Sequence, residues 1–173
     1  MKAFDTAETS FDSHTHDHRR CVRSALQTAE ALCQQHGVRL TALRRRVLEL
    51  VWASHCPVGA YDLLEMLSKD QGRVAPPTVY RALEFLLANG LIHRIESRNA
   101  FVGCPHPQEA HAGHFLICRV CGAAAELSDP GIEATLDQRA GELGFFVEAK
   151  TVELRGLCKG CRARRPDGGE QSA

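Results

Sequence analysis

No run of apolar residues in this 173-residue sequence approaches the length needed to cross a bilayer, so no membrane-spanning segment is expected. Its first thirteen residues carry Asp5, Glu8 and Asp12 and have no apolar core, unlike a secretory signal. A cytoplasmic protein is the expectation, and in that compartment thiols stay reduced. No nucleophile–base pair stands out either. Zinc deaminases use Cys-x-x-Cys, but they need an upstream His-x-Glu and a proline before the first cysteine, and neither accompanies Cys118. An enzyme is therefore not expected. Net charge is also absent, since 21 basic residues face 21 acidic ones.

That zero is a sum of unlike parts. Residues 1–18 are acidic, residues 19–98 hold twelve basic against seven acidic side chains, and residues 99–173 are mildly acidic. A basic middle between acidic flanks points to one segment that meets a polyanion. What the chain has in plenty is cysteine, eight in all. Cys118 and Cys121 form one Cys-x-x-Cys, and Cys158 and Cys161 form a second. Two intervening residues let the chain reverse so that both sulfurs aim at one centre, and four thiolates suit tetrahedral Zn²⁺. The alternatives are two disulfides or a thioredoxin-like redox pair. A reducing compartment disfavours the first. The second expects one motif opening a helix, whereas Gly122 and Ala123–Ala125 follow Cys121 like a turn between strands.

In chain order, residues 1–19 read as a disordered polar tail, in which His14, His16 and His18 alternate. A metal-loading arm and a merely solvated tail both fit those histidines. Apolar positions at helical spacing predict a helix from Arg20 to His36, with Cys33 on its buried face. A second helix starts at the N-cap Thr41, with Arg44, Arg45 and Arg46 in its first two turns; a third covers Ala60–Ser68 and exposes Tyr61. Pro76-Pro77 opens a fourth helix and Gly90 closes it. Val79, Leu83, Leu86 and Leu87 make its apolar stripe, and Tyr80 and Arg81 fall opposite. Two helices and a turn, the second presenting Tyr and Arg outward, is the pattern of a DNA-reading helix-turn-helix. Strand-like runs at 91–95 and 100–102 follow as a wing. Beyond Gly103, the stretch Cys104 to His114 reads as hinge and loop. Then come a strand into Cys118, a second near Glu126-Leu127, a helix from Pro130 to Leu143, and a strand running through Phe145–Leu154 towards Cys158. The fold class is α+β, a winged helix-turn-helix followed by a small α/β domain stabilised by zinc. Boundaries fall at a tail 1–19, a DNA-binding domain 20–98, a hinge 99–110, a dimerisation and metal-binding domain 111–165, and a polar tail 166–173.

Val38-Arg39-Leu40-Thr41 with Arg44, Ala60-Tyr61-Asp62-Leu63-Leu64, Pro76-Pro77-Thr78-Val79-Tyr80-Arg81-Ala82-Leu83 and Cys118-x-x-Cys121-Gly122 together resemble the ferric uptake regulator family, in its zinc uptake regulator branch. The resemblance covers about residues 21–162. It implies a homodimer that binds double-stranded palindromic operators when loaded with its sensed metal and represses zinc-uptake genes. It also implies structural zinc at Cys118, Cys121, Cys158 and Cys161 and a DNA-facing set of Tyr61, Thr78, Tyr80, Arg81 and Arg44. The family's sensing site maps onto His93, Cys104, His111 and Glu126, for two zinc ions per subunit. One ion held by all four would pin wing, hinge and far domain in one orientation. The sequence departs from iron-type members in reading His111-Ala112-Gly113-His114, which leaves His106 and His114 as alternates or as parts of a third site.

A thiolate at Cys104 favours softer or borderline ions, and mixed S/N/O coordination suits Zn²⁺. The alternative on the same fold is a ferric- or peroxide-responsive regulator. A thiol-based redox sensor would need an exposed, easily ionised cysteine.

Overall fold

The computed structural model describes residues 11, 18–54, 56–72, 74–108, 113–127 and 129–164. Helix α1 spans His18–Gln35, α2 Ala42–Val51, α3 Ala60–Gln71 and α4 Pro76–Ala88. Thr41 caps α2 by accepting from the Arg44 N–H, as an N-cap hydroxyl should. Gly59 enters α3 with its N–H on the Asp62 carboxylate at 3.2 Å. Leu26, Ala29, Leu32 and Cys33 of α1 meet Val47, Leu48 and Val51 of α2, Leu63 and Leu67 of α3, and Val79, Leu83 and Leu86 of α4 in one buried core. The stripe read from the sequence of α4 is thus its core face, and Thr78, Tyr80 and Arg81 are on the outside.

The wing has three strands, in the order β1-β3-β2: β1 Val58–Gly59, β2 Ile92–Ile95 and β3 Ala100–Gly103. Strand β1 has two residues and is too short for alternation to reveal. Strand β3 pairs with β2 from Ile92–Gly103 to Ile95–Ala100, so residues 100–103, the first part of the expected hinge, continue the sheet of the wing. A 3₁₀ turn, Glu96–Arg98, joins the two strands.

The second sheet has the order β5-β4-β6: β4 His114–Cys118, β5 Ala124–Glu126 and β6 Val152–Gly156. Strand β4 is antiparallel to β5 and parallel to β6, and α5, Pro130–Glu142, lies in the crossover between β5 and β6. A short α6, Lys159–Ala163, follows. The strand expected through Phe145–Leu154 begins only at Val152. Among the described residues, Phe145 and Phe146 pair with no strand, and both stand exposed. Helix α5 buries none of its residues.

The two sheets touch. His93 and Ile95 point to one face of β2, Ile92 and Arg94 to the other, as strand alternation requires. Ile92 joins the helical core, whereas Ile95 and Val102 pack on Phe115, Ile117 and Ala124 of the second sheet. Residues 1–10 and 12–17, and with them His14 and His16, lie outside the described residues, as do 165–173, which include the expected C-terminal tail. Two parts of the segment read as a tail are ordered, because α1 starts at His18 and Phe11 packs against the cysteines of the C-terminal domain. Among the described residues, no helix is long and apolar enough to cross a membrane.

Candidate metal centre

Two clusters of metal-ligand side chains form. In the first, one ligand atom from each of Cys118, Cys121, Cys158 and Cys161 lies within 4.8 Å of the others. Cys118 ends β4, and Cys121 follows in a turn closed by the Gly122 N–H on the Cys118 carbonyl at 3.0 Å. Gly122 has a φ of 79°, a left-handed conformation that suits glycine. On the other side Cys158 caps α6 by accepting from the Cys161 N–H, and the Cys158 N–H donates to Cys118 Sγ at 3.4 Å. Phe11 and Leu157 cover the cluster.

The charges in this cluster conflict. Burial pulls the Cys118 thiol up, but the N–H groups of Cys158, Cys121 and Val120 aimed at its sulfur outweigh that and hold it below the usual thiol range. The Ala123 N–H favours a thiolate at Cys121, yet burial and the crowding thiols of Cys118, Cys161 and Cys158 push Cys121 up. Once one sulfur ionises, its neighbours resist. A divalent cation at the centre removes that conflict, so the donor set fits Zn²⁺.

The second cluster joins the two sheets. His93 comes from β2, Cys104 from the residue after β3, and Glu126 from the end of β5; one ligand atom from each lies within 4.8 Å of the others. The Cys104 N–H donates to the Leu91 carbonyl at 3.1 Å, fixing the thiol at the wing's edge. His93 Nε2 approaches Glu126 Oε1 at 3.3 Å, and its ring meets Phe115 edge-on with centroids 5.4 Å apart. Gly113 leaves the space for this: a Cβ there would come within 2.5 Å of the Phe115 ring and 3.1 Å of His93 Nδ1. Burial first, and then the Glu126 charge, push the Cys104 thiol up to about 12. A buried carboxylate and a buried thiol at one point are costly without a cation between them. The fourth expected ligand, His111, lies outside the described residues.

Neither His106 nor His114 belongs to the second cluster. His114 is only 1% exposed, and neither of its ring nitrogens has a hydrogen-bond partner among the described residues.

On the helical domain, Tyr61 is 77% exposed, and Thr78, Tyr80 and Arg81 stand outward along α4. Arg44 differs. Its guanidinium sits 3.6 Å over the Phe85 ring and donates to the Arg39 carbonyl at 2.7 Å, bracing α4 against α2. Arg45 pairs with Glu30 and Glu49, and Arg46 with Asp70 and Glu49, so much of the basic run is neutralised within the protein.

The sequence profile of the ferric uptake regulator family matches residues 35–155. The chain belongs to that family. Within the family it is 40% identical over 141 residues to the zinc uptake regulation protein of Escherichia coli (strain K12), covering 81% of this chain and 82% of that protein. It is 29% identical over 130 residues to the zinc uptake regulation protein of Mycobacterium tuberculosis (strain ATCC 25618 / H37Rv), covering 73% of this chain and 97% of the relative. A structure of a zinc uptake regulator complexed with zinc and DNA superposes with a TM-score of 0.78 at 38% identity, covering 82% of this chain and 95% of that one. Holo XcZur superposes at 0.75 with 46% identity, covering 81% and 98%.

Sequence reasoning missed the contacts between wing and knuckle. Cys56, which lacks ligand spacing, donates its thiol to the Cys121 carbonyl at 3.5 Å. Arg98 reaches the carbonyls of Cys118 and Gly122. The one available signal was Ile95, an apolar residue facing away from the core that Ile92 enters.

Two predictions follow from the geometry. Cys121→Ser should lose one equivalent of tightly held zinc and run as a monomer or unfolded chain in size exclusion; a stable dimer of normal zinc content would count against the cluster's structural role. Because the unliganded Cys104 thiol titrates only near 12, metal binding there must displace its proton at every ordinary pH. Affinity should therefore rise with pH by about tenfold per unit from this group alone, between about pH 6 and 9. A chelator-competition titration that is flat across that range would show the thiol is not a ligand.

Proposed function

We propose that this chain is a zinc-responsive transcriptional repressor, a cytoplasmic homodimer that binds palindromic operators when zinc-loaded and represses zinc-uptake genes. The observation that carries the reading is the second cluster, in which His93 of the wing, Cys104 of the hinge and Glu126 of the far sheet converge on one point. We assign His111 as the fourth ligand there, with two zinc ions per subunit in all. Bound at these clusters, Zn²⁺ supplies a redox-inert positive charge and a preference for tetrahedral donors.

Cys118, Cys121, Cys158 and Cys161 form a closed, all-sulfur site suited to permanent zinc. The mixed set answers to changing supply, because its ligands come together only when wing and far sheet are correctly placed. Moving a two-state equilibrium from 1:99 to 99:1 takes about 5.5 kcal/mol of differential binding. Zinc-finger sites supply on the order of 10–16 kcal/mol at neutral pH, so a mixed site with part of that strength is sufficient. Orientation is the output. Tyr61, Thr78, Tyr80 and Arg81 then face the duplex, with Arg81 on a guanine edge or phosphate and Arg44 bracing the recognition helix.

What the single chain leaves uncovered supports the dimer. Leu143 and Phe146 are 86% and 83% exposed, Phe145 and Leu154 are also exposed, and α5 has no buried residue. A helix with Ile132 and Leu136 on one face normally packs on something, and a second copy is the natural cover.

The deciding experiment titrates operator binding against free Zn²⁺, Fe²⁺, Mn²⁺ and Ni²⁺ in wild type and Cys104→Ser. Zinc should activate best in wild type, and Cys104→Ser should stay a folded dimer with a blunted zinc response; better activation by Fe²⁺ or Mn²⁺ reassigns the sensed metal. Arg81→Ala should weaken operator binding by roughly 1–3 kcal/mol with unchanged zinc stoichiometry. Unaltered binding would remove α4 from the DNA face.

A further inference from the structure

The wing is joined to the C-terminal domain at more places than the metal cluster. Glu153 of β6 pairs in register with Phe115, on the sheet face that the wing covers. Its carboxylate accepts from two consecutive backbone groups of the 3₁₀ turn, the Glu96 N–H at 2.6 Å and the Ser97 N–H at 3.2 Å. The next residue, Arg98, donates from Nη2 to the Cys118 carbonyl and from Nη1 to the Gly122 carbonyl, each at 3.4 Å. Cys56, in the loop before β1, donates to the Cys121 carbonyl between them. A Cβ on Gly122 would meet Arg98 Nη1 at 3.4 Å and Cys56 Sγ at 3.8 Å, so the knuckle lies close against the DNA-binding domain. None of these groups is a hinge ligand.

We propose that Glu153, Arg98 and Cys56 form a latch between wing and cysteine knuckle, and that its strength sets how much zinc the hinge cluster needs to fill. This rests on the reading of that cluster as the sensor. The latch acts on the same equilibrium as the hinge ligands. His93 and Cys104 ride on the wing and Glu126 on the far sheet, so they form a site only in the closed fraction of molecules. Apparent affinity is the intrinsic affinity scaled by that fraction. Contacts that hold the wing down before metal arrives therefore lower the zinc threshold, and weakening them raises it. The carbonyls that receive Arg98 and Cys56 belong to the turn that the four-cysteine cluster shapes, so the all-sulfur site also has a part in the response, as the dock for the wing. Glu153, Arg98 and Cys56 are positioning residues.

Glu153 gives the cleanest test, because removing an acidic side chain can only reduce repulsion from DNA and cannot mimic a lost phosphate contact. The full-length protein, already holding its cysteine-cluster zinc, is titrated with Zn²⁺ against a competing chelator. Amide hydrogen exchange is followed over residues 96–98. Glu153→Ala should raise the zinc concentration for half-filling of the hinge cluster by roughly three- to tenfold and speed exchange at Glu96 and Ser97, leaving the tighter equivalent in place. Glu153→Gln, which keeps one acceptor oxygen, should fall between. Arg98→Met, which leaves β6 untouched, should shift the titration in the same direction. An unchanged titration together with unchanged exchange in Glu153→Ala and Arg98→Met overturns the latch. Cys104→Ser separates the two ideas. If it retains both zinc equivalents, the sensor assignment fails, while exchange at residues 96–98 still decides whether the latch exists.

Discussion

Four sulfurs brought within one ion's reach cannot all carry charge unless a cation joins them, and the C-terminal domain is built on that constraint. Its sheet has strands of three and five residues, and among the described residues the apolar cluster on its wing-facing side includes two buried residues of its own, Phe115 and Ile117. A core of that size is marginal alone. The cysteines close the circuit from the end of β4 to the end of β6, which are parallel neighbours separated in sequence by the whole crossover. With that tie made, β4 is rigid enough to present Phe115 and Ile117 to the wing, and β5 to place Glu126 under His93.

The second cluster uses the same chemistry for the opposite purpose. Its donors are unlike one another, sit on elements of both sheets, and conflict when metal-free, with a neutral buried thiol beside a buried carboxylate. The free energy stored in that conflict is what a cation releases, and because the donors ride on separate bodies, the release is coupled to their relative placement. A uniform cluster within one domain is suited to holding structure; a mixed cluster spanning two is suited, on the function proposed above, to following a concentration. On that reading Cys104, the one sulfur among the described donors there, is what favours a softer ion.

Much of this was legible from sequence because the relevant signals are local. The caps at Thr41 and Pro76, the period of Val79, Leu83 and Leu86, and the spacing of the two Cys-x-x-Cys pairs each depend on a few neighbouring residues. The convergence of His93, Cys104 and Glu126 was to be expected only through the family resemblance, since no spacing rule links them. What stayed hidden depends on partners distant in the chain. Strand β1 is two residues long and exists because β3 offers an edge. Phe145 to Ala149 alternate like a strand yet join no sheet edge among the described residues. The resemblance puts Arg44 in the DNA-facing set, but its packing could not be read, because the Phe85 ring it covers is forty-one residues away, on another helix.

One small contact has a mechanical consequence. Phe11 rests on the cysteine knuckle of the far domain, and seven residues later the chain enters α1 of the helical domain. Seven residues reach at most roughly 25 Å when fully drawn out. While Phe11 stays seated, covalent geometry alone therefore keeps the start of α1 within that distance of the knuckle.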